Sequence, residues 1–172
     1  MKKKNNKNNT RLKQILQMIS SKYFTINELT RSDTANKLKI DNEPKEEATK
    51  DNIKKLMLFL DGVREGWTKE CKDKGYGDAA IVVNSGYRSE ALNKAVNGSK
   101  TSEHLLGTAA DIEPKNGRNK EFFEWMKMYV ADKNFSQLIN EYPDKRNSPK
   151  WIHISIRGRF ENPYRCQVLT IK

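Results

Sequence analysis

One stretch of sequence decides how this chain folds: SEHLLGTAADI, residues 102–112. Gly107 interrupts the backbone, and residues 108–112 predict a short strand. Side chains alternate faces along a strand, so Ala109 and Asp111 share one face. Aspartate is depleted in strands, and a buried carboxylate must be paired or bound to a metal. Asp111, with a small alanine beside it, therefore indicates an ion or ligand site.

The only two histidines of the chain lie close to strands of this kind. His104 comes seven residues before Asp111, which fits a loop followed by a strand rather than one helical face. His153 lies in WIHISI, residues 151–156, whose alternation predicts another strand. The apolar face of that strand carries Ile152, Ile154 and Ile156. His153 lies on the other face with Trp151 and Ser155, as a residue in a cleft wall would.

Together His104, Asp111 and His153 form a set of two imidazoles and one carboxylate. Three protein ligands with a fourth position open for water are typical of catalytic zinc sites, whereas structural sites use four, usually with cysteines. Zinc is preferred over iron or manganese because it is common in hydrolysis, although this ligand set does not exclude the other metals. A histidine taken singly is more often structural, so the prediction depends on the whole pattern.

Three segments carry a family resemblance: SGYRS at 85–89, S-x-H-x-x-G-x-A-x-D at 102–111, and WIH at 151–153. Together they resemble the peptidase M15 family, the zinc D-Ala-D-Ala carboxypeptidases and related peptidoglycan endopeptidases, including phage endolysins. The resemblance covers roughly residues 22 to 160. It implies that His104, Asp111 and His153 bind zinc and that the substrate is a peptidoglycan peptide.

The resemblance also implies roles for residues around the metal. Arg88 is expected to hold a substrate carbonyl or carboxylate and to stabilise the developing oxyanion. The alternative for Arg88 is a structural arginine that satisfies loop carbonyls. Tyr87, Ser102 and Trp151 are further candidates for substrate binding, and Ser102 could instead hydrogen-bond the backbone of the site.

The general base is where this chain departs from the family pattern. Several members carry a carboxylate three residues before the final histidine, but Lys150 stands there and cannot act as a base without a much lowered pKa. Glu141 is the preferred replacement, because the segment 135–142 looks like the one before the final motif in one branch of the family. Asp144 is the second choice, and Glu103 is expected to be solvated.

The patterns predict an α+β fold: a small antiparallel sheet carries the zinc site and packs against several helices. Residues 1–20 are predicted to form a basic disordered tail with a short helix, and residues 21–172 a single peptidase domain. Residues 31–46 are polar, with a turn predicted at 41–44, and residues 135–142 lead to a loop that precedes the last strand. The predicted strands cover 79–83, 108–112 and 151–156. Thr25 is predicted to cap a short helix. Longer segments at 46–73, 89–96 and 120–131 are also predicted to be helical.

Charge and composition limit the possible partners. The 172 residues carry a net charge of +11, of which seven positive charges and no acids lie in residues 1–27. Such a tail is usually solvated, but it can attract anionic wall polymers. Nucleic acid is disfavoured, because aromatic residues are not interleaved with the basic ones and no binding motif is present. Cys71 and Cys166 lack metal-ligand spacing and are expected to be free thiols.

No apolar run reaches membrane-spanning length, and asparagines stand where a signal peptide would have its apolar core. We therefore expect a monomer that is synthesised in the cytoplasm and acts on the cell wall after release, as a phage-type endolysin does. The alternative is a non-catalytic peptidoglycan-binding module that retains the zinc fold, and Lys150 is the support for it.

Overall fold

The computed structural model describes residues 20–156 and 166–172. Helices and strands are mixed along this part of the chain, and a single 3₁₀ turn, Glu103–Leu106, precedes the second strand. The helices are α1 (Ile26–Thr30), α2 (Asp33–Leu38), α3 (Glu47–Lys74), α4 (Glu90–Ala95) and α5 (Asn119–Val130). The strands are β1 (Ile81–Ser85), β2 (Ala109–Pro114), β3 (Phe135–Glu141), β4 (Trp151–Ile156) and β5 (Gln167–Ile171). The predicted basic tail lies almost wholly outside the described residues.

The predicted signals for the helices are present as local contacts. Thr25 caps α1 in a capping box: its Oγ1 accepts from the backbone N–H of Glu28 at 3.2 Å, and a Glu28 carboxylate oxygen accepts from the Thr25 N–H at 2.8 Å. The long helix α3 buries the predicted apolar stripe and ends at Gly75, whose φ of 67° few other residues adopt without strain. The stripe comprises Ile53, Leu56, Met57, Leu60, Val63 and Trp67.

The α+β fold is confirmed, and the five strands form one sheet in the order β1-β2-β4-β3-β5. The first four strands in that order pair antiparallel, but β5 runs parallel to β3. The sheet is therefore mixed: the two strands that carry Asp111 and His153 pair antiparallel, as predicted, and β5 is the exception. The physical reason is that the side-chain pattern of a strand sets its faces, while its direction depends on the connection that leads to it.

The structure adds two elements that the sequence patterns did not indicate. The polar segment 31–46 contains α2, because Ser32 Oγ accepts from the backbone N–H of Ala35 at 3.2 Å and Ala35 itself is buried. The segment that leads to the loop before β4 forms β3, the strand between β4 and β5.

The core fills one face of the sheet and leaves the other face open. Ile112, Leu138, Ile152 and Ile154 are fully buried together with residues of α3 and α5 such as Trp67. Alternation then places the polar residues of the same central strands on the opposite face, where a cleft forms. No helix in the described part of the chain is both long and apolar enough to cross a membrane.

Candidate metal centre

The three predicted ligands meet at the floor of this cleft. Asp111 on β2 and His153 on β4 are direct cross-strand partners, and Oδ1 of Asp111 lies 2.9 Å from Nδ1 of His153. His104 lies in the 3₁₀ turn, and its Nε2 is 3.2 Å from both of those atoms. All three side chains are buried, and among the described residues they form the one cluster suited to hold a metal ion.

The hydrogen bonding of His104 determines which of its ring nitrogens carries the proton. Nδ1 of His104 lies 2.6 Å from the carbonyl oxygen of Gly86, which can only accept, so Nδ1 carries the proton. Burial lowers the pKa of His104 and favours the neutral ring, whose Nε2 then presents a lone pair. That lone pair faces the carboxylate of Asp111, which is also an acceptor. A cation between the two atoms would satisfy both, so the residues fit a metal ion.

A glycine allows the backbone to reach His104. A Cβ on Gly86 would lie 2.2 Å from the carbonyl oxygen of Leu29, at the end of α1. The same carbonyl accepts from the N–H of Tyr87 at 2.6 Å. The segment 85–89 therefore passes close against α1, which sets the position of the carbonyl that orients His104.

Arg88 is bonded to the same cluster. Its Nη2 donates to Oδ2 of Asp111 at 2.7 Å, and its Nε donates to Oγ of Ser85 at 2.9 Å. Burial acts to raise the pKa of the Asp111 carboxyl, but the imidazoles of His104 and His153 outweigh it and hold that pKa well below its usual range. The carboxylate is thus ionised, with one oxygen towards the histidines and the other towards Arg88.

Glu141 lies on the same face of the sheet, close to the cluster. It stands opposite Trp151 in the β3–β4 pair, which makes it a diagonal neighbour of His153. Nε1 of Trp151 donates to its Oε2 at 2.9 Å. Burial, and then the charge of Asp111, raise the pKa of Glu141. A carboxyl group of this kind suits the role of general base predicted for it.

The other candidates for the base lie in different surroundings. Asp144 is exposed in the loop before β4, where backbone N–H groups of Ser148 and Arg146 bond its carboxylate and lower its pKa. Lys150 is exposed, and its Nζ lies 5.2 Å from the centre of the Trp151 ring. Neither contact directs these side chains towards the metal ligands.

The residues predicted to bind substrate all line the cleft. Ser102 accepts from the backbone N–H of His104 at 3.4 Å and so caps the 3₁₀ turn. Tyr87 lies partly against the core, and burial raises its pKa. Trp151 packs edge-on against Tyr142, with ring centres 5.2 Å apart.

The expectation that Glu103 is solvated is wrong. Its side chain is only partly exposed, and its Oε2 accepts from Oγ of Ser155 at 2.5 Å. The physical reason is that Ser155 on β4 is fully buried and its hydroxyl requires an acceptor. The sequence offered one signal for this contact, namely the position of Ser155 on the same face as His153.

Comparison with known proteins agrees with this geometry. A family model described as peptidase M15 matches residues 22–155. The chain therefore belongs to the peptidase M15 family, and with it to the metallopeptidases. No curated protein is similar enough to the chain to count as a relative.

Proposed function

We propose that this chain is a zinc-dependent peptidase that hydrolyses peptidoglycan, either in its stem peptides or at its cross-links. The observation that carries the proposal is the convergence of His104, Asp111 and His153 on one point of an open cleft. A carboxyl group with a raised pKa, Glu141, lies next to them. Family membership supports the metallopeptidase class, and the preference for zinc follows from its common use in hydrolysis.

The three ligands would hold the ion and leave one side of it open towards the cleft. A zinc ion bound there supplies two effects: it polarises the scissile carbonyl and lowers the pKa of a water molecule. The chain's own contribution is geometric, because paired strands and a hydrogen-bonded imidazole fix the ligand atoms before any ion binds. Arg88 orients Asp111 through its bond to Oδ2.

Glu141 is the proposed general base. It would accept a proton from the attacking water and pass it to the amine that leaves. The pKa of Glu141 is raised, which brings it closer to neutral pH. A general base is most effective when its pKa lies near the pH at which the enzyme works. The Trp151 N–H bond holds one carboxylate oxygen and so directs the other. Glu141 thus comes from the neighbouring strand to supply the carboxylate that Lys150 does not.

Substrate contacts are proposed for the walls of the cleft. The Arg88 side chain is 18% exposed and has donors beyond those bonded to Asp111 and Ser85, so it can also bind a substrate carbonyl or carboxylate. Tyr87, Ser102 and Trp151 line the same space. The cleft is wide and open, with a volume of about 1420 Å³, which is compatible with a peptide substrate.

The biological setting we propose is wall lysis of the phage endolysin type. The net charge of +11 would favour adsorption to anionic wall polymers. The competing function is a peptidoglycan-binding module without catalysis, for which Lys150 was the support. The position of Glu141 beside the metal ligands favours the enzyme.

The experiment is digestion of purified stem peptides and cross-linked muropeptides, with the products identified by mass spectrometry. The wild-type protein, loaded with zinc, should release a defined fragment, and a chelator should stop the release. The exposed-site variant Glu124→Ala serves as the matched control and should keep full activity. Binding of the peptides without any cleavage by the zinc-loaded protein would establish the binding module instead.

A further inference from the structure

The three metal ligands are held in place by different means. Asp111 and His153 lie on directly paired strands, so the sheet fixes their separation. His104 lies outside the sheet in a single 3₁₀ turn, which begins at Glu103. The geometry of the cluster therefore depends on how firmly that turn is tied to the strands.

One hydrogen bond ties the turn to the strand of the other histidine. Oε2 of Glu103 accepts from Oγ of Ser155 at 2.5 Å, and Ser155 lies two residues after His153 on the same face of β4. The Ser155 hydroxyl also accepts from the backbone N–H of Gln137 on β3 at 3.0 Å. Because Ser155 is fully buried, its hydroxyl is a fixed point within the sheet.

Glu103 is fixed at its backbone as well. Its carbonyl oxygen accepts from the N–H of Thr108 at 3.2 Å and from the Thr108 hydroxyl at 3.1 Å. Thr108 directly precedes β2, the strand of Asp111, and is buried. Glu103 thus links the turn that carries His104 to both of the strands that carry the other ligands.

We infer that Glu103 is a positioning residue for the metal site, acting through its hydrogen bond to Ser155 to hold His104 at the correct distance from His153. The inference rests on the proposed metal site and extends it to a residue that does not touch the ion. Groups that orient metal ligands in this way typically contribute a factor of about 10 to 100 to metal affinity.

The test measures zinc affinity by competition with a chromophoric chelator, on metal-free wild-type protein and on variants. We expect Glu103→Ala to weaken zinc binding by about 10- to 100-fold. Glu103→Gln keeps an oxygen acceptor for the Ser155 hydroxyl and should restore affinity to near the wild-type value. Cobalt(II) spectra of the same proteins report ligand geometry, and the Glu103→Ala spectrum should differ from that of the wild type.

Ser155→Ala removes the same hydrogen bond, and the acceptor of the Gln137 N–H with it, without altering the 3₁₀ turn, so it keeps the test open should Glu103→Ala fold poorly. It should weaken zinc binding at least as much as Glu103→Ala, and the double variant should bind zinc no more weakly than Ser155→Ala. Glu124→Ala, on the exposed side of α5, is the matched loss of a carboxylate and should leave zinc affinity unchanged.

Three results would overturn the inference. Glu103→Ala could have the same zinc affinity and the same cobalt(II) spectrum as the wild-type protein. Glu103→Gln could be as weak as Glu103→Ala, which would assign the effect to charge. Ser155→Ala could leave the zinc affinity unchanged, which would show that the Glu103–Ser155 hydrogen bond does not position His104. Failure of the wild-type protein itself to bind zinc is a separate result, because it would instead reject the proposed metal site.

Discussion

Asp111 and His153 face each other across the β2–β4 pair, with Oδ1 of the aspartate 2.9 Å from Nδ1 of the histidine. Backbone pairing thus places two of the three proposed metal ligands next to each other. The third, His104, arrives from a different element and depends on side-chain and carbonyl contacts.

Metal content should follow the three ligands. We expect about one zinc per chain in the wild-type protein, by the logic of three protein ligands and one open position. His104→Ala and His153→Ala should each lose the metal and the peptidase activity, whereas Glu124→Ala should lose neither. Elemental analysis after zinc reconstitution measures this. A wild-type chain without any transition metal would contradict it.

Removal of the metal should lower thermal stability. An ion that binds the folded state and not the unfolded state stabilises the fold by about 2.7 kcal/mol when the free zinc concentration is 100 times the Kd. We therefore expect a chelator to lower the Tm of the wild-type protein. The Tm of His153→Ala, measured in the same scanning calorimetry, should not respond to the chelator, and a response there would place the bound metal elsewhere.

The general base can be tested with an isosteric change. Glu141→Gln keeps the acceptor for the Trp151 N–H but loses the proton acceptor, so turnover should fall by roughly 10²–10⁴ while zinc stays bound. Asp144→Asn should be nearly silent, because its carboxylate bonds its own loop. Rates of peptide hydrolysis and the metal content of each variant together show whether Glu141 is the general base. The reverse pattern would transfer the role to Asp144.

The same substitution should affect stability in a pH-dependent way. Burial raises the pKa of Glu141 in the folded chain, so the folded state binds its proton more tightly than the unfolded state does. The contribution of Glu141 to stability therefore falls as pH rises from the unfolded pKa through the folded one. Metal-free Glu141→Gln should have a higher Tm than the wild type at neutral pH.

That difference in Tm should vanish below about pH 4, where the glutamate is protonated in both states. Thermal unfolding across a pH series measures it. Glu124→Gln is the matched control, because it makes the same change at an exposed position of α5 away from the cleft. An equal gain in Tm for Glu141→Gln at every pH would indicate a packing effect instead.

A glycine near the site should couple stability to metal binding. Gly86→Ala places a methyl group against the Leu29 carbonyl and should destabilise the fold by about 1–3 kcal/mol. It should also weaken zinc binding, because the Gly86 carbonyl orients His104. Gly77→Ala, at a φ of 82° but far from other atoms, should cost stability without changing zinc affinity. Denaturant unfolding and chelator competition separate the two effects.

The sequence predicted those parts of the molecule whose signals are local. The capping box of Thr25, the stripe of α3 and the alternation around His153 each depend on neighbours in the chain, and each is present in the structure. The cluster that could hold a metal ion was also predicted, because an aspartate in a strand and two histidines beside strands form an unusual combination.

What the sequence did not predict depends on contacts between distant segments. The parallel pairing of β5 with β3 is one example, since a side-chain pattern sets the faces of a strand and not its direction. The bond of Glu103 to Ser155 spans 52 residues and follows from the pairing of β2 with β4. The hydrogen bond of Arg88 to Asp111 spans 23 residues and depends on the fold that brings these two residues together.

The pairing of β2 with β4 also determines when the site can form. Asp111 and His153 are 42 residues apart in sequence, so a chain without that pairing offers only His104 and Asp111, seven residues apart. Closing so long a loop belongs to the slower steps of folding, after local helices such as α3. Metal uptake during refolding should therefore lag behind sheet formation, and the ion would enter a finished sheet rather than serve as its template.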